Sequence, residues 1–153
     1  MSIRLNPISV KELTRVEQES ILEHAIDLHL VGSDDADSVG FDIVEKRSTT
    51  VLHLLRAVDD EKSVGVVYVL PVRGAKDLVE MTVLIFSEFR GKHYTGSLVD
   101  AVETFLRENH TATLSLGAAV HDHNPMRNEL TDFLLRHGYS YSPAHRLFVK
   151  PLA

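Results

Sequence analysis

The residues best suited to chemistry form a basic, glycine-containing turn at positions 90–96, which reads RGKHYTG. An amphipathic helix follows this turn directly. The first turn of a helix offers unpaired backbone N–H groups and about half a positive charge, so phosphates bind readily there. Arg90 and Lys92 add two full positive charges. The turn is therefore a candidate anion-binding site.

Two common nucleotide-binding motifs do not fit this turn. Gly91 and Gly96, followed by Ser97, have part of the spacing of a nucleoside-triphosphate loop. The lysine that neutralises the β- and γ-phosphates in such a loop is missing, however. A dinucleotide-binding fingerprint needs Gly-x-Gly-x-x-Gly after the first strand of the sheet, and neither the glycines nor their position agree. The turn therefore binds a different anion or only connects two elements.

Three further residues are candidates for a general base. Glu80 is the only charged residue in the apolar run 78–86, where burial would make its carboxylate a stronger base. His121 and His123 would share one face of an extended chain, and an imidazole there could accept an amine proton near neutral pH. The alternatives are a solvent-facing glutamate, two ordinary loop histidines, or a metal pair for which the sequence shows no third ligand.

Composition and charge limit the class of protein. The chain has 153 residues, 44% apolar and 25% charged, which suits one globular domain with its own core. Its net charge of −6 argues against nucleic acid and anionic membranes as partners. It contains no cysteine, which excludes disulfides, thiolate metal sites and cysteine nucleophiles, and its first residues do not resemble a signal peptide. We expect one cytoplasmic domain spanning residues 1–153, and a homodimer is compatible with this composition.

Hydrophobic periodicity predicts the element order β-α-(α)-β-β-β-α-β-α-β-β, with residues 38–47 ambiguous between a short helix and a turn. The strand candidates are residues 3–6, 51–58, 64–70, 79–86, 111–120, 139–141 and 146–150. The β-α-β unit over residues 79–120 should form a parallel crossover. The basic turn would then lie at the carboxyl end of a strand, where α/β sheets bind ligands.

Capping signals predict where the helices begin and end. Ser9 and Glu12 form a Ser-x-x-Glu capping box, which predicts that the first helix begins there. Asn124 followed by Pro125 predicts the start of the last helix. Gly138 predicts its end.

The element order and the stretch IFSEFRGK, residues 85–92, resemble the GNAT acyltransferase superfamily. The acetyl-CoA loop of that family reads Arg/Gln-x-x-Gly-x-Gly/Ala, and residues 88–92 match its usual context. The two family glycines fall on His93 and Thr95 here. Farther along, residues 120–124 and 136–139 resemble the end of the family's fifth strand and its closing Lys-x-Gly-Phe motif. The resemblance implies an α/β protein with a mixed sheet and a single GNAT-like acyl-CoA N-acyltransferase domain.

This resemblance also implies an N-acetyltransferase, which transfers an acetyl group from its co-substrate acetyl-CoA to a primary amine of a small molecule or protein. Arg90, Lys92 and the amides of residues 91–96 would hold the pyrophosphate of coenzyme A. Glu80 or His121 would be the base. The full set of implied cofactor-binding residues is Ile85, Phe86, Arg90, Gly91, Lys92, His93, Tyr94, Thr95, Gly96 and Asn124.

The general acid and the acceptor are less well marked. The family often has a tyrosine that protonates the leaving thiolate, and Leu134 occupies the matching position. Either this acid is missing or another tyrosine, such as Tyr141 or Tyr94, replaces it. Residues 34–37 form an acidic stretch with Asp34, Asp35 and Asp37. In the family that the chain resembles, the loop at this place borders the acceptor site. It implies a cationic acceptor, or it is an ordinary solvated loop.

A second class of function stays open because of these departures. The protein could keep the GNAT fold without catalysis, as a binding or structural module such as an accessory or virion protein of a tailed phage. The two classes of function differ in whether the cleft between residues 79–86 and 111–120 is open or filled. An enzyme needs this cleft open, whereas a structural protein could fill it with His93, Tyr94 or Phe86.

Overall fold

A seven-stranded mixed sheet forms the centre of the computed structural model, which describes residues 3–27, 52–72, 74–89, 94–110, 114–122 and 124–152. The strands are β1 (Ile3–Pro7), β2 (His53–Asp59), β3 (Lys62–Pro71), β4 (Leu78–Ile85), β5 (Ser115–Ala118), β6 (Ser140–Ser142) and β7 (Leu147–Pro151). Their order across the sheet is β1-β2-β3-β4-β5-β7-β6. Neighbouring strands are antiparallel except for β4 and β5, which are parallel. The predicted strand order along the chain and the parallel pair are both confirmed, and residues 38–47 lie outside the described ranges.

Strands β2 and β3, which the sequence predicts as neighbours along the chain, form an antiparallel hairpin. Asp60 and Glu61 in its turn have φ angles of 47° and 69°, the left-handed conformation that suits a tight turn between twisted strands. Farther along β3, Gly65 pairs with Ile85, the last residue of β4. The hairpin turn therefore lies at the same end of the sheet as the chain segment that follows β4.

Three α-helices occur in the described residues: α1 (Arg15–Asp27), α2 (Tyr94–Asn109) and α3 (Arg127–Arg136). None of them combines the length and the apolar character needed to cross a membrane. In α2, Leu98, Val102 and Leu106 are fully buried at a spacing of four residues, so one face of the helix packs on the sheet. This is the apolar face that the sequence predicts.

The predicted start of α1 at Ser9 is wrong. The Ser9 N–H donates to Glu12 Oε1 at 3.0 Å, but these residues cap a single 3₁₀ turn, Val10–Glu12. Helix α1 begins behind a second capping box, in which Thr14 N–H donates to Glu17 Oε1 at 2.8 Å and Glu17 N–H donates to Thr14 Oγ1 at 3.2 Å. Both segments match Ser/Thr-x-x-Glu, so the local pattern alone does not distinguish them.

Helix α3 also begins later than predicted. Asn124 and Pro125 form a turn in front of it, where Asn124 Oδ1 accepts from Met126 N–H at 2.9 Å. The helix starts at Arg127, whose N–H donates to the Asn124 carbonyl at 3.1 Å. Its end is as predicted, because Gly138 takes the left-handed conformation with a φ of 90°.

The sheet buries an apolar cluster on each face. The larger cluster lies on the side of α2 and α3 and includes Leu55, Val67, Met81, Leu98, Leu116 and Leu134. The smaller cluster lies on the side of α1 and consists of Leu13, Ile21, Leu54, Val66, Tyr68, Leu84 and Phe86. Since side chains alternate along a strand, Glu80, Leu84 and Phe86 face the α1 side, whereas Met81 and Ile85 face the α2 side.

Candidate cofactor and active site

The parallel strands β4 and β5 stay paired over only half the length of β4. Their ladder runs from Leu78 opposite Ser115 to Met81 opposite Ala118. Strand β5 ends at Ala118, whereas β4 continues to Ile85 alongside β3. The two strands therefore part beyond Met81, at their carboxyl ends. This gap lies where the sequence analysis places the cleft between residues 79–86 and 111–120.

Helix α2 begins at this end of the sheet, nine residues after β4 ends. Arg90, Gly91, Lys92 and His93 lie outside the described residues, so the structure does not describe the predicted pyrophosphate contacts of these four. The predicted contacts at 94–96 belong to the first turn of α2, whose N–H groups have no partner within the helix. Thr95 has an ordinary helical conformation with negative φ, so its backbone does not require a glycine there.

Tyr94 does not fill the cleft. Its side chain is buried, with 8% of its surface exposed, and its hydroxyl donates to Asp59 Oδ2 at 2.7 Å. Asp59 is the last residue of β2, so this bond joins the start of α2 to the end of the sheet where the hairpin turn lies. Phe89 meets this ring edge to face, with centroids 6.0 Å apart. The contact between Tyr94 and Asp59 is absent from the sequence interpretation, since 35 residues separate them and no local pattern links them.

Phe86 does not fill the cleft either, because its ring belongs to the cluster on the α1 face. Its N–H donates to the Val64 carbonyl at 3.0 Å, and its own carbonyl accepts from Phe89 N–H at 2.9 Å. These bonds leave Phe86 without a free amide for a ligand. Ile85, the other predicted contact of the pantetheine arm, is half-buried at the end of β4.

Glu80 lies in the last closed part of the sheet, immediately before the strands separate. It is half-buried on the α1 face, with Gly117 of β5 opposite it on one side and Leu70 of β3 on the other. Leu147 covers Gly117, since a Cβ there would lie 3.0 Å from Leu147 Cδ1. Glu80 thus lies one residue before the pair of Met81 and Ala118, beyond which the two strands separate.

His121 and Asn124 follow β5 on the far side of the cleft. The His121 side chain is exposed, and its carbonyl accepts from Asn124 N–H at 3.0 Å. Asn124 Oδ1 is occupied by Met126 N–H, which leaves the amide nitrogen of Asn124 for a ligand. His123 lies outside the described residues, and within the ranges that the structure covers no three His, Asp or Glu side chains gather as a metal site.

Tyr141, the predicted general acid, is separated from Glu80 and His121. It lies on the edge strand β6, 53% exposed, with its ring 5.2 Å from that of Phe148, and β7 stands between β6 and β5. Leu134, at the position of the family tyrosine, is 1% exposed in the larger apolar cluster. The structure therefore brings Glu80 close to the cleft but not Tyr141.

An open groove of about 510 Å³ lies elsewhere, at the amino ends of β4 and β5. It is lined by Gly74, Ala75, Lys76, Asp77, Leu78, Ser115, Ser142, His145 and Val149. The strands are paired here, and no helix N-terminus faces it among these residues. The groove is therefore a separate surface feature from the cleft.

No protein-family model matches the chain, and no curated protein does. Solved structures do match it. The protein AAC(6′)-Ib in complex with ribostamycin and coenzyme A has a TM-score of 0.67 at 14% identity, over 99% of this chain and 94% of the other. An acetyltransferase of the GNAT family from Staphylococcus aureus Mu50 has a TM-score of 0.63 at 13% identity, over 99% and 100%. PaiA N-acetyltransferase from Thermoplasma acidophilum in complex with coenzyme A has a TM-score of 0.59 at 13% identity, over 99% of both chains.

These matches cover almost the whole chain, and identities of 13–14% show the fold. The fold that the sequence resemblance implies is thereby confirmed. The chain has the GNAT acyl-CoA N-acyltransferase fold.

Proposed function

We propose that the protein is an N-acetyltransferase that uses acetyl-CoA to acetylate a primary amine of a small molecule or protein. One observation carries this proposal: β4 and β5 part beyond Met81 and Ala118, at the end of the sheet where α2 begins. An extended thiol-bearing chain fits between strands that separate in this way. A helix N-terminus beside the gap suits the phosphates at the other end of coenzyme A.

Charge and backbone conformation support a cofactor site at this end. Arg90 and Lys92 come immediately before α2 and would neutralise the pyrophosphate. The amides of 94–96 lie in the first turn of the helix, where N–H groups await an acceptor. Since Thr95 is helical, the loss of a family glycine there leaves the direction of these amides unchanged.

The chemical step needs a proton acceptor and a proton donor. The amine nitrogen attacks the thioester carbonyl carbon, the C–S bond breaks, and the sulfur leaves as thiolate. A base removes the proton from nitrogen and an acid supplies one to sulfur. Glu80, beside the mouth of the cleft, and His121, across it, are the two base candidates.

One observation favours a second function, a protein that binds acyl-CoA without efficient turnover. The family's tyrosine position holds the buried Leu134, which has no proton to donate. Two tyrosine hydroxyls are already bonded to carboxylates, Tyr94 to Asp59 and Tyr139 to Glu103. Tyr141 is two strands away from β5. None of these three hydroxyls is therefore free and close enough to β5 to protonate the leaving thiolate.

Calorimetric titration with acetyl-CoA and coenzyme A tests the shared cofactor site. We expect micromolar binding by the wild type and loss of binding in Arg90→Ala/Lys92→Ala. The matched control is Arg15→Ala/Lys76→Ala, which removes the same charge from exposed positions away from the cleft and should bind as the wild type does. Binding together with acetylation of any amine in a panel of candidate acceptors supports the N-acetyltransferase. Binding without acetylation supports the second function. Absence of heat at millimolar ligand would overturn both.

A further inference from the structure

We infer that Tyr94 is a positioning residue for the cofactor: by donating to Asp59 it holds the first turn of α2 in the orientation that receives the phosphates. This inference rests on the proposed function, since it concerns the same coenzyme A site. It assigns a role to the β2–β3 hairpin, which contributes no predicted contact to the ligand. Tyr94 acts through the helix rather than by touching the reacting atoms.

The geometry of the bond makes it a tether between two elements. Tyr94 is the first residue of α2, and Asp59 is the last residue of β2 beside the hairpin turn. The Oη–Oδ2 distance of 2.7 Å is that of a hydrogen bond strengthened by the charge of its acceptor. The ring is 8% exposed and is held edge-on by Phe89, which belongs to the segment joining β4 to α2. Both ends of the tether are thus fixed by packed structure.

A helix start needs such a tether more than a helix middle does. The first four N–H groups of a helix have no partner inside it, and the same groups would receive the phosphates. Within α2, bonds to the carbonyls of residues 94–97 come from the amides of 98–101. A side chain anchored at position 94 therefore fixes the turn from its outer end, while Leu98 and Val99 fix it from the core.

The hydrogen bond from Tyr94 also fixes the orientation of the negatively charged Asp59 carboxylate. Asp59 is a carboxylate at the end of the sheet where an anionic ligand would bind, and a carboxylate free to turn toward phosphate would repel it. The hydroxyl of Tyr94 keeps this carboxylate directed at the ring. The hydrogen bond to Asp59 in turn raises the pKa of Tyr94, so the phenol remains a donor at any ordinary pH.

Tyr94→Phe tests this inference, because it removes the hydroxyl and keeps the ring. Tyr139→Phe is a matched control, since Tyr139 is also buried and also donates to a carboxylate, Glu103 Oε2, at 2.9 Å. Glu103 lies in the middle of α2, away from its first turn. Asp59→Asn is the conservative variant, which keeps an oxygen acceptor for the tyrosine.

Three readouts are needed: calorimetric affinity for coenzyme A, KM and kcat for acetyl-CoA, and hydrogen exchange at the amides of 98–101 in the ligand-free protein. We expect Tyr94→Phe to raise the Kd and the KM by about fivefold or more, the effect of one lost hydrogen bond, with kcat unchanged. Exchange at 98–101 should become faster in this variant alone. Tyr139→Phe and Asp59→Asn should keep affinities close to the wild type.

Equal affinities and equal exchange in Tyr94→Phe and Tyr139→Phe would overturn the inference. A fall in kcat at unchanged KM would also overturn it, because it would place Tyr94 in the chemical step. If even the wild type does not bind coenzyme A, the proposed function fails and the phosphate role of the tether fails with it. The exchange measurement in the ligand-free protein then decides separately whether the hydroxyl holds the helix start.

Discussion

Arg56 donates a hydrogen bond to each carboxylate oxygen of Glu17, from Nε to Oε2 at 2.8 Å and from Nη2 to Oε1 at 2.8 Å. This pair joins α1 to β2 across 39 residues, and Glu17 is 1% exposed. The same carboxylate also accepts from Thr14 N–H in the capping box of α1. One buried acid therefore fixes both the start of α1 and its position on the sheet.

Removal of Arg56 should strongly destabilise the protein. Arg56→Ala leaves the Glu17 carboxylate buried without its cation, and we expect a loss of about 3 kcal/mol, at the lower end of such effects because Arg56 itself is 25% exposed. Urea unfolding followed by circular dichroism measures this. The control is Arg15→Ala, which breaks the exposed Arg15–Glu19 pair at 3.0 Å and should change stability by under about 0.5 kcal/mol. Similar losses of unfolding free energy in both variants would show that the burial of Glu17 does not make its ion pair more important for stability than an exposed pair.

Stability should fall in acid because of the same glutamate. Burial acts to raise the pKa of Glu17, but hydrogen bonds from Arg56 and from the Thr14 amide outweigh it and hold the pKa below the ordinary value of 4.5. A carboxyl group with a lowered folded-state pKa stabilises the fold above the unfolded value, and this contribution is lost as pH falls through the folded value. Wild-type stability should therefore decline below about pH 4.5. Glu17→Gln should be less stable at pH 7 and show a shallower acid decline; an unchanged slope would contradict this assignment.

The fold was predictable from sequence because its signals are local. Alternating apolar residues marked the strands, a four-residue apolar spacing marked α2, and the order of these elements with one β-α-β unit restricted the topology. Capping was less predictable. Ser9 and Thr14 both begin a Ser/Thr-x-x-Glu pattern, and only the partner of the second glutamate, Arg56, selects the true helix start.

The polar contacts inside the protein were not predictable, because they join residues far apart in sequence. Glu103 accepts from Tyr139 Oη and from Lys150 Nζ, both at 2.9 Å and across more than 30 residues. His53 and His110 bring their Nε2 atoms to 3.0 Å, although neither showed a pattern in the sequence. At the candidate site, only the position of Glu80 beside the cleft could be anticipated from the strand it belongs to.

Gly65 should be irreplaceable because it lets β3 approach the end of β4. A Cβ at this position would overlap the carbonyl oxygen of Leu84 and lie 3.2 Å from the Cα of Ile85. Since these are backbone atoms in a ladder, Gly65→Ala should destabilise the protein by about 3 kcal/mol or more. It should also weaken coenzyme A binding, because the edge of the cleft would move.

Gly96→Ala is the comparison for that substitution. A Cβ there meets only the Phe133 ring, 3.6 Å away, and a helix favours Ala over Gly by about 0.5–1 kcal/mol. Thermal unfolding should therefore show Gly96→Ala as neutral or stabilised. If Gly65→Ala were tolerated equally well, the close approach of β3 to Leu84 would not be a property of the folded protein.

The identity of the base can be decided by two substitutions that preserve size. Glu80→Gln should lower kcat by about 10²–10⁴-fold, the usual contribution of a positioned general base. Its Kd for coenzyme A should stay at the wild-type value, since Glu80 faces the α1 side of the sheet and α2 lies on the other. The measurement is the initial rate of Glu80→Gln and of His121→Gln over a pH series, with an amine that the wild type acetylates.

His121→Gln is the competing substitution. Its side chain is exposed, three residues beyond the end of β5. Loss of rate in His121→Gln with a normal Glu80→Gln would assign the proton to the histidine. Normal rates in both would mean that neither residue is the base, and slow wild-type turnover at every pH would favour the function of a binding protein. Glu80 is the better candidate on position alone, because it is the one charged side chain of β4 and lies next to the residue pair where the strands separate.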